Sequence, residues 1–217
     1  GLTNIGNVVG YERTENGLKP IEGKLYFRGY EISDLVHAVL NEQRFGFEEI
    51  AYLLLSGGLP DAEELEQFRH LLVGNMPLMS KTMLNIVELE GTDIMNILAR
   101  SVLELYTYDN TPDDISRENL MRQSVELISK FPTIIAYAYN MLRHKTFGRS
   151  LHIRHPKENF SLAENFLYML LGNNYTPLDA RTLDLLLILQ AEHGGGNNST
   201  FTVRVTSSTC TDTYSSI

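Results

Sequence analysis

The stretch that decides the fold runs from Thr176 to Val205 and reads TPLDARTLDLLLILQAEHGGGNNSTFTVRV. It begins like a helix, with Thr176 as the N-cap, Pro177 at the first helical position and Asp179 in the first turn. The leucine-rich run that follows is apolar on nearly every face, which is typical of a helix inside a large helical protein. We therefore expect a buried helix here.

A glycine run is predicted to end this helix, and a second helix is predicted to follow it. Gly194–Gly196 stop the first helix, and the polar residues Asn197–Thr200 can cap the next one. His193 should then lie at the end of one helix and face the open amides of the next. Such amides and the positive end of the helix dipole favour anions. Because a histidine beside them can donate to a carboxylate or carbonyl oxygen, we predict a substrate site at His193.

Composition and charge narrow the class of protein. The 217 residues suit one domain of ordinary size, and 43% hydrophobic with 21% charged residues is typical of a soluble globular protein. A net charge of −9 argues against a nucleic acid or an anionic membrane as partner. No apolar run is long enough to span a bilayer. Cys210 is the single cysteine, predicted to be a small buried side chain, which fits a reducing compartment.

The rest of the chain is read as one hairpin followed by helices. The segment Gly6–Arg28 predicts a small hairpin, in which the turn-rich run TENGLKPIEG separates the strands and Asn16-Gly17 is the strongest turn signal. A long helix is predicted from Ser116 to Lys145, with a kink or a fresh start at Phe131-Pro132 because proline breaks helices. Further apolar stripes at helical spacing predict helices in EISDLVHAVL, FGFEEIAYLLLSGGLPDAEELEQFRHLL, ILARSVLELY and AENFLYMLLG.

The segment LILQAEHGGGNNSTFTVRV resembles the citrate synthase family, whose members carry a similar His-x-Gly-Gly-Asn-x-Ser run. The runs GKLYFRGYEISDL and FGFEEIAYLLLSGGLPDAEELEQFRHLL are similar to that family as well. Gly194 stands where many members have an acidic residue. The resemblance implies an all-α, multi-helical large domain with a small N-terminal β-hairpin. Residues 1–217 would be its N-terminal part, truncated at Ile217, with the smaller CoA-side domain not included.

The resemblance also implies an activity and a role for three residues. The enzyme would be an acyltransferase that condenses acetyl-CoA with oxaloacetate to citrate and CoA, through an enol and citryl-CoA, in the tricarboxylic acid cycle. His193 would bind oxaloacetate, and Asn197 and Ser199 would shape the site. The family's acid/base histidine and aspartate would lie beyond Ile217, so the fragment alone is expected to be inactive. No metal and no cofactor other than the CoA of the substrate is expected, in a cytoplasmic homodimer.

Two further stretches gain a possible meaning from the resemblance. Helices at Ile94–Leu105 and Ile134–Leu142 would contribute to the dimer interface, although ordinary intramolecular core fits their pattern equally well. The loop Thr146–Phe160 carries Arg149, Arg154 and Lys157, which are either a solvated patch or a contact for the phosphates of CoA. His152 and His155 in the same loop have no acids beside them, so we expect no metal site there.

Three alternatives remain beside this function. A 2-methylcitrate synthase, using propionyl-CoA, is not separated from a citrate synthase by these residues. His-Gly-Gly-Gly also occurs in the oxyanion loop of some esterases, whose fold needs alternating strands and helices and a Gly-x-Ser-x-Gly elbow. A non-catalytic helical interaction protein would leave the run from His193 to Ser199 unexplained.

Overall fold

The computed structural model describes residues 3–89 and 91–217, and within them three β-strands and ten α-helices. The strands are β1 (Gly6–Thr14), β2 (Gly17–Phe27) and β3 (Tyr30–Glu31). The helices are α1 (Ile32–Asn41), α2 (Phe47–Ser56), α3 (Ala62–Asn75), α4 (Ser80–Glu88), α5 (Ile94–Leu105), α6 (Arg117–Phe147), α7 (Leu162–Leu171), α8 (Pro177–Gln190), α9 (Asn198–Ser207) and α10 (Thr213–Ser216). The predicted helical fold with a small N-terminal hairpin is confirmed.

The hairpin is longer than the sequence predicts. Strands β1 and β2 pair antiparallel from Gly6 opposite Phe27 to Thr14 opposite Gly17, and β3 adds a short third strand. Gly17 has φ +113°, a conformation that glycine adopts without the steric cost a side chain would bring. The prediction of a ten-residue turn region is wrong, because a two-residue turn allows the residues on either side of it to pair.

Helix starts follow the caps expected from the sequence. Helices α3, α7 and α8 each begin with a threonine, serine or aspartate whose side chain accepts an amide from the first turn. At α8, the Asp179 carboxylate accepts the backbone N–H of Thr176 at 2.8 Å, and Thr176 Oγ1 accepts the N–H of Asp179 at 3.2 Å. These local capping boxes satisfy amides that have no partner within the helix.

The chain forms two compact units, each with its own apolar core. The first unit comprises the segment up to Glu66 together with Arg181–Thr202, and the second comprises Gln67–Ala180 together with Val203–Ile217. The first core is built from Phe27, Leu35, Val39, Ile50, Leu53 and Ile188. The second core lies around α4, α5, α6 and α7 and includes Ile86, Leu98, Ile134, Tyr137 and Met169.

A buried carboxylate fixes α8 within the first unit. Asp184 is 1% exposed, and its Oδ2 and Oδ1 accept the backbone N–H groups of Gly46 at 2.8 Å and Phe47 at 3.1 Å. These amides stand at the N-terminus of α2, where a helix has donors without an internal partner and the positive end of its dipole. Asp184 therefore caps α2, although it follows the helix by more than a hundred residues.

Glycine at position 46 makes this contact possible. A Cβ atom on Gly46 would lie 2.3 Å from Val39 Cγ2 and 3.1 Å from Ile188 Cδ1. Real Cβ atoms do not approach carbon atoms so closely, so any other residue would push α1 or α8 away. The cap and the packing of the first core therefore depend on the same residue.

The long helix α6 continues through Pro132, so the predicted fresh start is wrong and the predicted kink stays a prediction. Pro132 is buried inside the helix, and the next residue, Thr133, donates from Oγ1 to the carbonyl of Met76 at 2.9 Å. Tertiary packing of this kind can outweigh the roughly 3 kcal/mol that proline costs in a helix interior. The small residues that follow, Ala136 and Ala138, are at most 1% exposed and belong to the second core. These two alanines therefore belong to the intramolecular core, and a contribution of this helix to a dimer interface stays a prediction.

Two burial predictions are also wrong. Helix α8 buries Ala180, Asp184 and Ile188, but Leu186 and Leu189 on its other faces are exposed. The apolar pattern of α8 therefore predicts more burial than the described residues give to Leu186 and Leu189. Cys210 is exposed, because it follows the end of α9 in a tight turn at φ +60°.

A polar network holds α10 to the second unit. The Asp109 carboxylate accepts hydrogen bonds from Arg122 at 2.7 Å, Gln123 at 2.9 Å and the Tyr214 hydroxyl at 2.7 Å. Burial by itself would raise the pKa of Asp109, but these donors and the N–H of Thr111 outweigh it and hold the pKa well below its ordinary value. The carboxylate therefore stays charged at neutral pH and anchors the tyrosine of α10.

We expect Asp184→Asn to lower the free energy of unfolding by about 3 kcal/mol, because a buried amide of α2 then faces an NH2 group in place of an acceptor. Urea unfolding followed by circular dichroism measures the loss. The matched control, Glu22→Gln, removes a negative charge from the exposed surface of β2 and should change stability by less than about 0.5 kcal/mol. Equal effects of the two substitutions would contradict the capping role of Asp184.

Candidate substrate site around His193

The loop between α8 and α9 forms one side of an open recess in the first unit. The recess has a volume of about 410 Å³, and the beginning of β1 forms its other side. Its lining consists of Thr3, Gly6, Asn7, Val8 and His193–Gly196. A volume of this size lies within the range of about 300–1,000 Å³ that is usual for small-molecule sites. His193 and the glycine run therefore border one cavity, and the substrate site at His193 stays a prediction.

A hydrogen bond to α8 sets the chemical state of the His193 ring. The His193 side chain is exposed, and its Nε2 lies 3.0 Å from Oε1 of Gln190, the last residue of α8. An amide oxygen can only accept, so Nε2 carries the proton and Nδ1 is left for a ligand. Nδ1 accepts a hydrogen bond in the neutral ring and donates one in the protonated ring.

Glu192 holds the loop against β1. Its Oε1 accepts the backbone N–H of Gly194 at 2.6 Å. A Cβ atom on Gly6 would lie 2.5 Å from Glu192 Cγ, so the strand approaches the loop closely because residue 6 has no side chain. This contact places the glycine run beside the strand and so gives the recess its two walls.

The backbone conformation of residue 194 explains why it is a glycine. It is buried at φ +78°, in the left-handed region that costs other residues about 1–2 kcal/mol. The atom nearest to a Cβ at this position would be Val8 Cγ2 at 3.6 Å, which is ordinary contact. Conformation, and not space, therefore favours glycine at this position.

The start of α9 differs from the prediction. Oδ1 of Asn197 accepts the backbone N–H groups of Ser199 at 2.8 Å and Thr200 at 3.2 Å. The cap therefore occupies these two amides. The prediction that open amides of α9 face His193 is wrong for Ser199 and Thr200. Asn197 acts as the N-cap of α9, and the helix itself is confirmed. Neither Asn197 nor Ser199 lines the recess, so their roles in shaping the site stay predictions.

The residues missed by sequence reasoning are Gln190 and Glu192. Gln190 is the last residue of α8 and lies three residues before His193, so its closeness in sequence could have indicated the contact. Glu192 contacts Gly6, a residue far from it in the sequence, and no local pattern indicates a contact between such distant residues. The structure thus adds a ring partner and a loop anchor to the predicted histidine.

Residues 3–89 and 91–217 offer neither a cluster of metal-binding side chains nor a helix that could span a membrane. No group of three or more histidine, cysteine, aspartate or glutamate side chains in that part of the chain is placed to hold a metal ion. None of the helices described there combines the length and the apolar character needed to cross a membrane.

Comparison with known proteins relates this fold and loop to one family. A family model described as the C-terminal domain of citrate synthase matches residues 2–217. A citrate synthase from Haloferax volcanii is 34% identical over 200 residues, which are 90% of this chain and 49% of the relative. A 2-methylcitrate synthase from Corynebacterium glutamicum is 32% identical over 204 residues, 91% of this chain and 50% of the relative. The crystal structure of citrate synthase from Pyrobaculum aerophilum superimposes with a TM-score of 0.80 at 31% identity, covering 99% of this chain and 50% of that one.

The chain therefore belongs to the citrate synthase family. It spans about half the length of the curated relatives that it matches. The esterase alternative has no support in the fold, since the described residues form a single three-stranded antiparallel sheet and no alternation of strands and helices.

We expect Gly194→Ala to lower the free energy of unfolding by about 1 kcal/mol, because alanine is strained at positive φ. The matched control is Gly196→Ala in the same loop, where the backbone lies outside the left-handed region and a Cβ meets nothing within 4 Å. The control should cause no loss in urea unfolding. Equal losses at the two positions would show that the strain at Gly194 does not decide its residue type.

Proposed function

We propose that these residues belong to an acyltransferase of the citrate synthase type, which condenses acetyl-CoA with oxaloacetate to give citrate and CoA. The observation that carries the proposal is the placement of His193 in an open recess, on a loop that matches the family in sequence and lies between two helices. The names of the relatives support the same reaction.

His193 would act on oxaloacetate through Nδ1. Since Gln190 occupies Nε2, a protonated His193 offers one charged N–H to a carboxylate or keto oxygen of the substrate. A base removes a methyl proton from acetyl-CoA, and the enol carbon attacks the keto carbon of oxaloacetate. The keto oxygen takes up a proton to give citryl-CoA, which water hydrolyses to citrate and CoA. A donor already aimed at the oxygen stabilises the charge that develops on it.

The acid and base of this reaction would come from residues that follow Ile217, as the family resemblance implies. Within this chain, Asn197 would set the direction in which the chain leaves the recess, because it caps α9. The exposed Ser199 would orient the acid/base histidine of that later segment. This part of the chain by itself would bind and position substrate without completing the reaction.

A second function is favoured by one observation, the 32% identity to a 2-methylcitrate synthase of Corynebacterium glutamicum. That enzyme class uses propionyl-CoA, and the recess at His193 would hold oxaloacetate in either reaction. Assays of the full-length protein with acetyl-CoA and with propionyl-CoA, each with oxaloacetate present and absent, separate the two by the ratio of kcat/KM.

We further propose a homodimer, located in the cytoplasm, from the family resemblance. Apolar side chains remain exposed on both helices expected at the interface, with Met95 and Leu103 on α5 and Tyr139 on α6. Their burial against a second copy would remove apolar surface from water. Sedimentation velocity of the full-length protein at micromolar concentration should give the mass of a dimer, and a stable monomer would contradict this assignment.

We expect His193→Ala in the full-length protein to weaken oxaloacetate binding about 10- to 100-fold, because a charge-assisted hydrogen bond worth about 1.5–3 kcal/mol is lost. The KM for acetyl-CoA should change much less. Steady-state kinetics with each substrate varied in turn measures both effects.

The matched control is His37→Ala, which removes an exposed histidine of α1 and should leave both KM values unchanged. An unaltered KM for oxaloacetate together with an unaltered kcat in His193→Ala would refute the role of His193.

A further inference from the structure

A separate recess lies in the second unit, between α6 and the segment that joins α3 to α4. Its volume is about 450 Å³, which is within the range usual for small-molecule sites. Thr82 of α4, Leu105 of α5 and Tyr214 of α10 complete its lining. Because charged and apolar side chains both line this space, we call it the mixed recess.

The charged side chains of the mixed recess balance one another. They are two acids and two bases, namely Asp109, Arg122, Glu126 and Lys130. Arg122 donates to Asp109 at 2.7 Å and to Glu126 at 2.9 Å. Lys130 donates to the other oxygen of Glu126 at 3.2 Å. The lining is therefore neutral overall, and a ligand with a single charge would leave a net charge in a partly buried space.

Two polar groups of the mixed recess keep hydrogen-bonding capacity for a ligand. The hydroxyl of Thr82, a residue only 1% exposed, has no hydrogen-bond partner among residues 3–89 and 91–217. The neighbouring Tyr108 hydroxyl donates instead to Glu104 at 3.1 Å. Lys130 carries three N–H donors, of which one is used on Glu126 in that part of the chain. Since a buried hydroxyl without a partner is costly, a polar group that enters the recess beside Thr82 is favoured.

Apolar side chains supply the rest of the contact surface. They are Pro77, Leu78, Met79, Leu105 and Leu127. The segment that carries the first three is held to α6, because Thr133 Oγ1 donates to the carbonyl of Met76 at 2.9 Å. Met79 is still 49% exposed, so an apolar group in the recess would remove further apolar surface from water.

We propose that the mixed recess binds an α-amino acid with an apolar side chain. The carboxylate of the ligand accepts hydrogen bonds from Lys130 and Thr82, and its ammonium group donates to Glu126. Its side chain lies against the leucines of the lining. A zwitterion adds no net charge, so the recess stays neutral, whereas a carboxylate or an amine alone would unbalance it. This site goes beyond the condensation reaction and does not depend on it.

The test is calorimetric titration of the full-length protein with L-phenylalanine and with L-leucine. Saturable binding is expected for at least one of them. Removing either charge from the ligand should weaken binding at least about tenfold, because a charge-assisted contact is lost and the recess is no longer neutral. The matched analogues are phenethylamine and hydrocinnamate for phenylalanine, and isoamylamine and isocaproate for leucine.

Two variants of the protein connect this binding to the mixed recess. Thr82→Val keeps the shape of the side chain and removes a hydroxyl that has no partner in the described fold, so urea unfolding should show no loss of stability. The same change should weaken amino acid binding about 2- to 12-fold. Lys130→Met should weaken it at least about tenfold. The matched control, Lys81→Met, removes an exposed lysine of α4 outside the recess and should leave binding unchanged.

Three outcomes would overturn the proposal. The first is that neither amino acid saturates the protein, and the second is that an analogue with one charge binds as tightly as its parent. The third is that Thr82→Val or Lys130→Met, shown by circular dichroism to be folded, binds the amino acid as tightly as before. Because no titration requires turnover, these outcomes are independent of the proposed condensation activity.

Discussion

The buried carboxylate of Asp184 is the constraint from which the candidate site follows. A charge that is 1% exposed must have its hydrogen bonds satisfied, and the first amides of α2 supply two of them, at Gly46 and Phe47. Helix α8 therefore cannot rotate or slide without leaving a charge and two amides unpaired. Its last turn carries Gln190, the partner of the His193 ring. The orientation of the histidine thus depends on a contact two turns earlier in the same helix.

The position of the glycine run is a second constraint on the site. Because glycines have no side chains of their own, contacts with neighbouring residues decide where this loop lies. Glu192 accepts the amide of Gly194 and packs on Gly6, so the loop and the first strand are joined at one point. The recess consequently has one wall from the beginning of the sequence and one from near residue 195. The chain belongs to the citrate synthase family and spans about half the length of the curated relatives that it matches.

Features encoded by neighbouring residues could be predicted, and features encoded by distant ones could not. The capping box at Thr176 and Asp179 and the position of His193 follow from local spacing. Helix α9 forms despite the β-branched residues in its sequence, with Asn197 as the cap of its first turn. In contrast, nothing near Asp184 indicates that it caps another helix. The continuity of α6 at Pro132 likewise depends on tertiary packing, which no local pattern contains.

The division of the first unit into two separate segments has a consequence for synthesis on the ribosome. Its early part ends at Glu66, and its later part begins only at Arg181, after the whole middle of the chain. At about 5–20 residues per second, the ribosome needs on the order of ten seconds to make the intervening stretch. During that interval the emerging chain contains α2 without its cap, Asp184. It also contains strand β1 without the glycine loop that packs against it. The nascent protein therefore passes through a stage at which protection by a chaperone would matter most.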